Sequence, residues 1–136
     1  MKQKLSNKPF TIVGDGKQKR DFIHVRDVAK AFYLAGKSKT KNEIFNVGSG
    51  KPISVNYILK LIGGSKKIYV PKRPGEPNIT HADIKKIKKI LQWKPSISIE
   101  KGIESVVKDI NYWKKAPLWD KKKIKIATKN WFKYLS

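Results

Sequence analysis

Apolar positions recur along this chain with two periods, and the switches between them mark out its elements. Pro9-Phe10-Thr11-Ile12-Val13 is a short apolar run that predicts a strand. Gly14-Asp15-Gly16 behind it is turn chemistry, because glycine accepts positive φ and aspartate bonds back to its own backbone. Over 25–36 the spacing turns helical, with Val28, Ala31, Phe32 and Ala35 on one face and Gly36 at the close. Residues 43–48 predict a short strand. Ser54 can cap a helix over 55–62 bearing Val55, Ile58, Leu59 and Ile62, and Gly63-Gly64 stops it. Ile68-Tyr69-Val70 predicts a strand ended by Pro71. Three prolines and a glycine make Pro71–Pro77 a stiff, extended loop. Asp83 can cap a helix over 84–91 with Ile84, Ile87 and Leu91 inward, and Trp93-Lys94-Pro95 turns the chain. Ser98 opens a helix over 99–113 with Ile99, Ile103, Val106, Val107 and Ile110 on one face. Asp120 opens a last helix over 121–135 with Ile124, Ala127, Trp131 and Leu135 at helical spacing. Residues 1–8 read as the end of a helix and a polar turn, too short to begin a domain unaided. The pattern predicts a mixed α/β fold of short strands and about five helices.

Composition narrows what such a fold can do. The 136 residues suffice for one domain with a modest core. There is no cysteine, which excludes disulfides and thiolate metal sites, and two histidines, His24 and His81, are too few for a histidine-rich metal site. No apolar run approaches the ~20 residues a membrane span needs. Met1–Leu5 has no apolar stretch behind it, so a signal peptide is not expected and a cytoplasmic location is.

The formal charge of +22 is the strongest compositional signal, and a small basic nucleic-acid-binding module is its obvious reading. The lysines, however, occur in every segment, without an arginine cluster or aromatic interleaving. Evenly solvated lysines are therefore the preferred reading, and the nucleic-acid module stands as the alternative. Only Arg20, Arg26 and Arg73 among the 32 basic residues are arginine. An arginine kept where lysine serves elsewhere points to a need for its planar fork of donors.

Arg20-Asp21 lies between the glycine turn and a second apolar run that enters a helix through Asp27-Val28-Ala29. That order sets one guanidinium on the rim of a cleft. The stretch Phe10-Thr11-Ile12-Val13-Gly14-Asp15-Gly16 followed by Arg20-Asp21-Phe22-Ile23-His24-Val25 resembles the C-terminal signature of NAD-dependent sugar-nucleotide epimerases and dehydratases. These are extended short-chain dehydrogenases of the UDP-glucose 4-epimerase type. Later stretches follow in the same order. Ile44-Phe45-Asn46-Val47-Gly48-Ser49-Gly50 resembles the family's FNVG element, and Arg73-Pro74-Gly75-Glu76-Pro77 its R-x-G-(D/E) element. Asp83 with Leu91-Gln92-Trp93-Lys94-Pro95 and then Ser98–Ile103 continue the match, with Gln92 where a glycine is usual, which makes the helix end less favourable.

The resemblance implies a nucleotide-sugar-binding part over 1–115 and a C-terminal helical extension over 116–136. It implies that Thr11 and Val13 offer strand backbone to the base, that Arg20 and Arg73 bind the diphosphate, that Asn46 adds an amide donor, and that Glu76 takes the ribose hydroxyls. Guanidinium matches phosphate oxygens bidentately, and a carboxylate accepts from vicinal hydroxyls. The bland readings are a local Arg20–Asp21 pair, a surface Arg73–Glu76 pair worth at most ~1 kcal/mol, and a turn role for Asn46. The partners implied are a nucleotide-diphosphate sugar, a UDP-sugar first, and the missing N-terminal dinucleotide-binding half.

Several motifs are decoys. Tyr33-Leu34-Ala35-Gly36-Lys37 fits Y-x-x-x-K but follows the RDF element, whereas the family's catalytic pair precedes it. Gly48-Ser49-Gly50-Lys51 lacks the spacing of a phosphate loop. Gly14-Asp15-Gly16 lacks the third glycine of a dinucleotide fingerprint. His24 reads as a core histidine. The Gly-rich turn, the ribose-binding acid and the Tyr/Lys pair belong to the family's N-terminal half. The expectation is thus NAD in the full-length family, no NAD on this chain alone, no catalytic residue here, and epimerisation or dehydration only with the missing half.

Overall fold

The computed structural model describes residues 1–135. In chain order the elements are α1 (Lys2–Leu5), β1 (Phe10–Val13), β2 (Lys19–Arg20), α2 (Val25–Lys37), β3 (Ile53–Ser54), α3 (Val55–Ile62), β4 (Lys67–Val70), α4 (Lys85–Leu91), α5 (Ile99–Lys108), a 3-10 turn (Ile110–Trp113), α6 (Lys121–Ala127) and α7 (Lys129–Leu135). The fold is mixed α/β, as its apolar pattern predicts. The chain divides into two compact units, one built from Met1–Gln18, Ser54–Asn78 and Ile103 onward, the other from Lys19–Ile53 and Ile79–Gly102.

The first unit is organised by the parallel pair β1–β4, in register Phe10 to Lys67 through Val13 to Val70. Ile12, Val70 and Leu59 of α3 are its buried apolar residues. Ser54 caps α3, its hydroxyl accepting from the Tyr57 amide, and Gly63 ends the helix in the left-handed region (φ 78°). Asp120 caps α6 by accepting from the Lys123 amide at 2.8 Å. A single helix over 121–135 is not what forms. The chain breaks at Thr128, whose hydroxyl bonds back to the Ile124 carbonyl at 2.8 Å and competes with the helical ladder. The helix expected to reach 113 likewise stops at Lys108 and gives way to the 3-10 turn. Asp109 and Asn111 sit there, residues whose side chains compete for nearby backbone groups. Its apolar face, Ile99, Ile103, Val106, Val107 and Ile110, is half-buried as predicted.

The core of the second unit is Ala31, Ile84, Ile87, Leu91 and Trp93, with Ile23, Leu34, Phe45 and Val47 packed against it. Phe45 and Val47 reach this core without the predicted strand over 43–48. No strand pairs with that stretch among the described residues, so its alternation serves packing and not a ladder. β2 pairs with β3, and Lys19 bridges Ile79 in parallel. In α2 the inward face is Asp27 and Ala31, with Leu34 and Ala35 half-buried; Phe32, expected inside, is 75% exposed. The anchor that turns the helix this way is the Asp27 carboxylate, which accepts from the Ser96 hydroxyl (2.6 Å), the Ser96 amide (3.1 Å) and the Ile97 amide (3.0 Å). The helix runs through Gly36 and ends at Ser38, whose hydroxyl donates to the Ala35 carbonyl.

Candidate functional site

In the first unit the ladder dictates which backbone groups are offered where. Phe10 N donates to the Lys66 carbonyl and Gly14 N to the Val70 carbonyl, both at 2.9 Å. The intervening peptides alternate, so those of Thr11 and Val13 face away from β4. On that edge the Val13 carbonyl accepts from the Gln18 amide (2.9 Å) and the Thr11 hydroxyl donates to the Trp119 carbonyl (2.9 Å).

Beyond β4 the proline-rich loop carries Arg73 and Glu76. Their ion pair is 3.5 Å from Nε to Oε2, the contact that the bland reading describes. The loop is also pinned by Trp131 of α7, whose indole N–H donates to the Pro74 carbonyl at 2.8 Å while its ring lies 5.3 Å from the Arg73 guanidinium. Arg73 Nε is buried and makes no hydrogen bond among the described residues. Beside this loop lies a cavity of about 410 Å³, floored by Val13, Val70 and Pro71, flanked by Arg73, and closed by Ile124 and Phe132 of the last two helices. That size is in the range of small-molecule sites, where apolar walls hold a ligand body and a few polar groups orient it.

In the second unit Arg20 ends β2, and its Nη1 donates to the Lys19 carbonyl at 2.8 Å. Asn46 is exposed, and its amide donates to the Asp83 carbonyl at 3.4 Å. Between them in sequence significance stands a residue that motif reading passed over. The Asp21 carboxylate accepts from the Ser49 amide (2.6 Å) and hydroxyl, the Gly50 amide (3.0 Å) and the Ala82 amide (3.1 Å). Burial pushes its carboxyl up, but the hydrogen bonds from Ser49, Ala82 and Gly50 outweigh that and hold it below the usual carboxylate range. Asp21 thus ties the RDF stretch to the Gly48–Gly50 turn and to the chain before α4. Gly48 is required by the same knot, since a Cβ there would lie 2.6 Å from the Ala82 side chain and 2.8 Å from Asp21 Oδ2. His24 is half-buried and caps α2, its Nδ1 accepting from the Arg26 amide at 3.2 Å, a role the sequence reading did not give it. Tyr33 lies on the surface of α2, with Lys37 Nζ 5.3 Å from its ring. The proposed contact residues therefore fall into two sets: Thr11, Val13, Arg73 and Glu76 in the first unit, Arg20 and Asn46 in the second.

A domain of this kind, with short strands and an arginine set on a stiff loop, has known counterparts. The sequence model of the GDP-mannose 4,6 dehydratase family matches residues 1–106, and the chain belongs to that family. Over 106 residues it is 42% identical to a UDP-glucuronate 4-epimerase from Thermodesulfobacterium geofontis, covering 74% of this chain and 32% of that protein. It resembles the crystal structure of UDP-glucuronic acid 4-epimerase from Bacillus cereus in complex with UDP-glucuronic acid and NAD, with a TM-score of 0.74 and 36% identity over 82% of this chain and 38% of that one. A UDP-glucose 4-epimerase from Thermotoga maritima with UDP-glucose gives a TM-score of 0.73 at 34% identity, over 82% and 37% of the two chains. The chain spans about a third of the length of these relatives, and its fold matches their C-terminal part. Among the described residues no helix is long and apolar enough to cross a membrane.

The NAD of the Bacillus cereus complex can be tested against the residues here. A dinucleotide's pyrophosphate sits on a helix N-terminus behind a Gly-rich turn. The glycine turn behind β1 leads into β2, not into a helix. A Cβ at Gly16 would lie 2.4 Å from Asn56 Oδ1, and the Asn56 amide donates to the Asp15 carbonyl at 2.9 Å. Asn56 fills this turn, and the turn does not fit a pyrophosphate.

Proposed function

We propose that this chain is the nucleotide-sugar-binding portion of an NAD-dependent sugar-nucleotide epimerase or dehydratase, with residues 1–115 forming that portion and 116–136 a helical extension. The observation that carries the reading is Arg73, held on a proline-rich loop by Trp131 and Glu76 at the side of a cavity floored by the ends of β1 and β4. The outward peptides of Thr11 and Val13 supply donors and acceptors for a base edge. Arg73 and Arg20 take the diphosphate, Asn46 adds an amide, and Glu76 exchanges its contact with Arg73 for ribose hydroxyls. NAD, the hydride transfer and the Tyr/Lys pair belong to a dinucleotide-binding half that acts as this chain's partner. Alone, the chain binds nucleotide and turns nothing over.

Titration calorimetry tests this with three ligands. UDP should bind one-to-one at physiological salt, NAD should give no saturable heat, and mixed DNA should bind only at low salt, as any chain of charge +22 does. Tight one-to-one NAD binding would overturn the assignment of NAD to a separate half. DNA affinity that survives physiological salt, with no heat from UDP, would favour the nucleic-acid module.

A further inference from the structure

The cavity beside Arg73 has a second wall that the family match does not reach. That match ends at residue 106, whereas α6 and α7 contribute Lys121, Lys125 and Lys129 to the lining. Lys121 and Lys125 lie one turn apart on α6 and Lys129 opens α7, and the common lining makes them one stripe. The stripe runs beside the apolar row Ile124, Thr128 and Phe132, which also lines the cavity. With Arg73 the cavity gathers four cations and no carboxylate in its lining. Glu76, whose Oε2 lies 3.5 Å from Arg73 Nε, is the nearby acid. Like charges converging on apolar walls repel one another until an anion is bound, and the most favourable occupant carries several negative charges on an apolar body.

We propose that the C-terminal helices are a working part of the nucleotide site, with Lys121, Lys125 and Lys129 gripping the phosphates of a nucleoside diphosphate whose ring system packs on Val13, Val70 and Phe132. This rests on the nucleotide-binding reading above and adds phosphate contacts from outside the family match. Lysine suits the role as a mobile point charge: it contributes attraction where the arginine fork fixes orientation. The C-terminal segment is therefore a specificity element, rewarding ligands with two phosphates over those with one or none.

The test uses the full chain and titrates UDP, uridine and pyrophosphate. The triple variant Lys121→Ala, Lys125→Ala, Lys129→Ala removes the stripe. Lys122→Ala, Lys123→Ala, Lys133→Ala removes the same charge from positions outside the cavity lining, and circular dichroism confirms that both variants fold. The cavity triple should weaken UDP about tenfold or more and lower the salt dependence of binding, while the control triple changes affinity less than about twofold. Equal losses in the two triples would overturn the proposal, as they would report bulk charge alone. UDP binding that Arg73→Lys weakens but the cavity triple does not would also overturn it, while leaving the nucleotide reading intact. Pyrophosphate held as tightly as UDP would remove the nucleoside from the assignment and with it the nucleotide reading.

Discussion

Two buried or half-buried carboxylates, Asp21 and Asp27, act at the residue scale by gathering hydrogen-bond donors, the reverse of the acceptor-gathering expected of the arginines. Each is pushed up by burial and pulled down further by hydrogen bonds, Asp27 mainly by the Ser96 hydroxyl and then by the Ile97 and Ser96 amides. A carboxyl depressed in the folded state binds its proton at lower pH than in the unfolded chain, where the value is about 3.9. The stabilisation is therefore complete above about pH 4 and is lost as the pH falls through and below that value. Thermal melts from pH 6 to 2.5 should show the melting temperature dropping steeply in the acid limb. Asp27→Asn should make that limb shallower and cost about 2 kcal/mol at neutral pH, since one amide hydrogen would face donors. An acid limb as steep as the parent's would contradict the assignment. Gln92 is the converse case, a residue working against its site. It ends α4 in the left-handed region at φ 49°, a conformation that favours glycine. Gln92→Gly should raise stability by about 1 kcal/mol in denaturant melts, and a loss would show that the Gln92 side chain contributes more than its backbone strain costs.

Elements signalled by local chemistry are legible in the sequence. Ser54 and Asp120 cap their helices, Gly63 ends α3, and Pro71 ends β4, because each acts through its own neighbours. What stayed hidden depends on distant partners. Asp27 reads as a helix start, yet Ser96 and Ile97, some seventy positions on, decide which face of α2 turns inward. Residues 43–48 alternate like a strand but have no neighbour to pair with among the described residues. The site divides the same way. Arg20, Asn46, Arg73 and Glu76 are proposed from motif order, whereas the clamp on the Arg73 loop comes from Trp131, 57 positions beyond Pro74, and only as an apolar helix position could sequence name it. Trp131→Phe keeps a ring beneath Arg73 but deletes the bond to the Pro74 carbonyl. It should weaken UDP binding severalfold with little change in stability, because the lost bond is worth about 1 kcal/mol and holds a loop and not the core. An unchanged affinity would separate the loop from the site.

For the molecule as a whole, the question is whether a chain of +22 uses its charge in bulk or at chosen places. Lysines spread over every segment supply a general attraction for anions that salt screens. Arginine forks supply direction, which salt does not. Arg20 and Arg73 stand in family motifs, and Arg26, at the start of α2, stands in none. The measurement that separates these views is a calorimetric titration of UDP at physiological salt into the parent and into Arg20→Lys, Arg73→Lys and Arg26→Lys, each of which keeps the charge. The account predicts a loss of about 1–3 kcal/mol for Arg20→Lys and for Arg73→Lys, and almost none for Arg26→Lys. Equal affinities across all three variants would contradict it, since charge alone would then be holding the nucleotide.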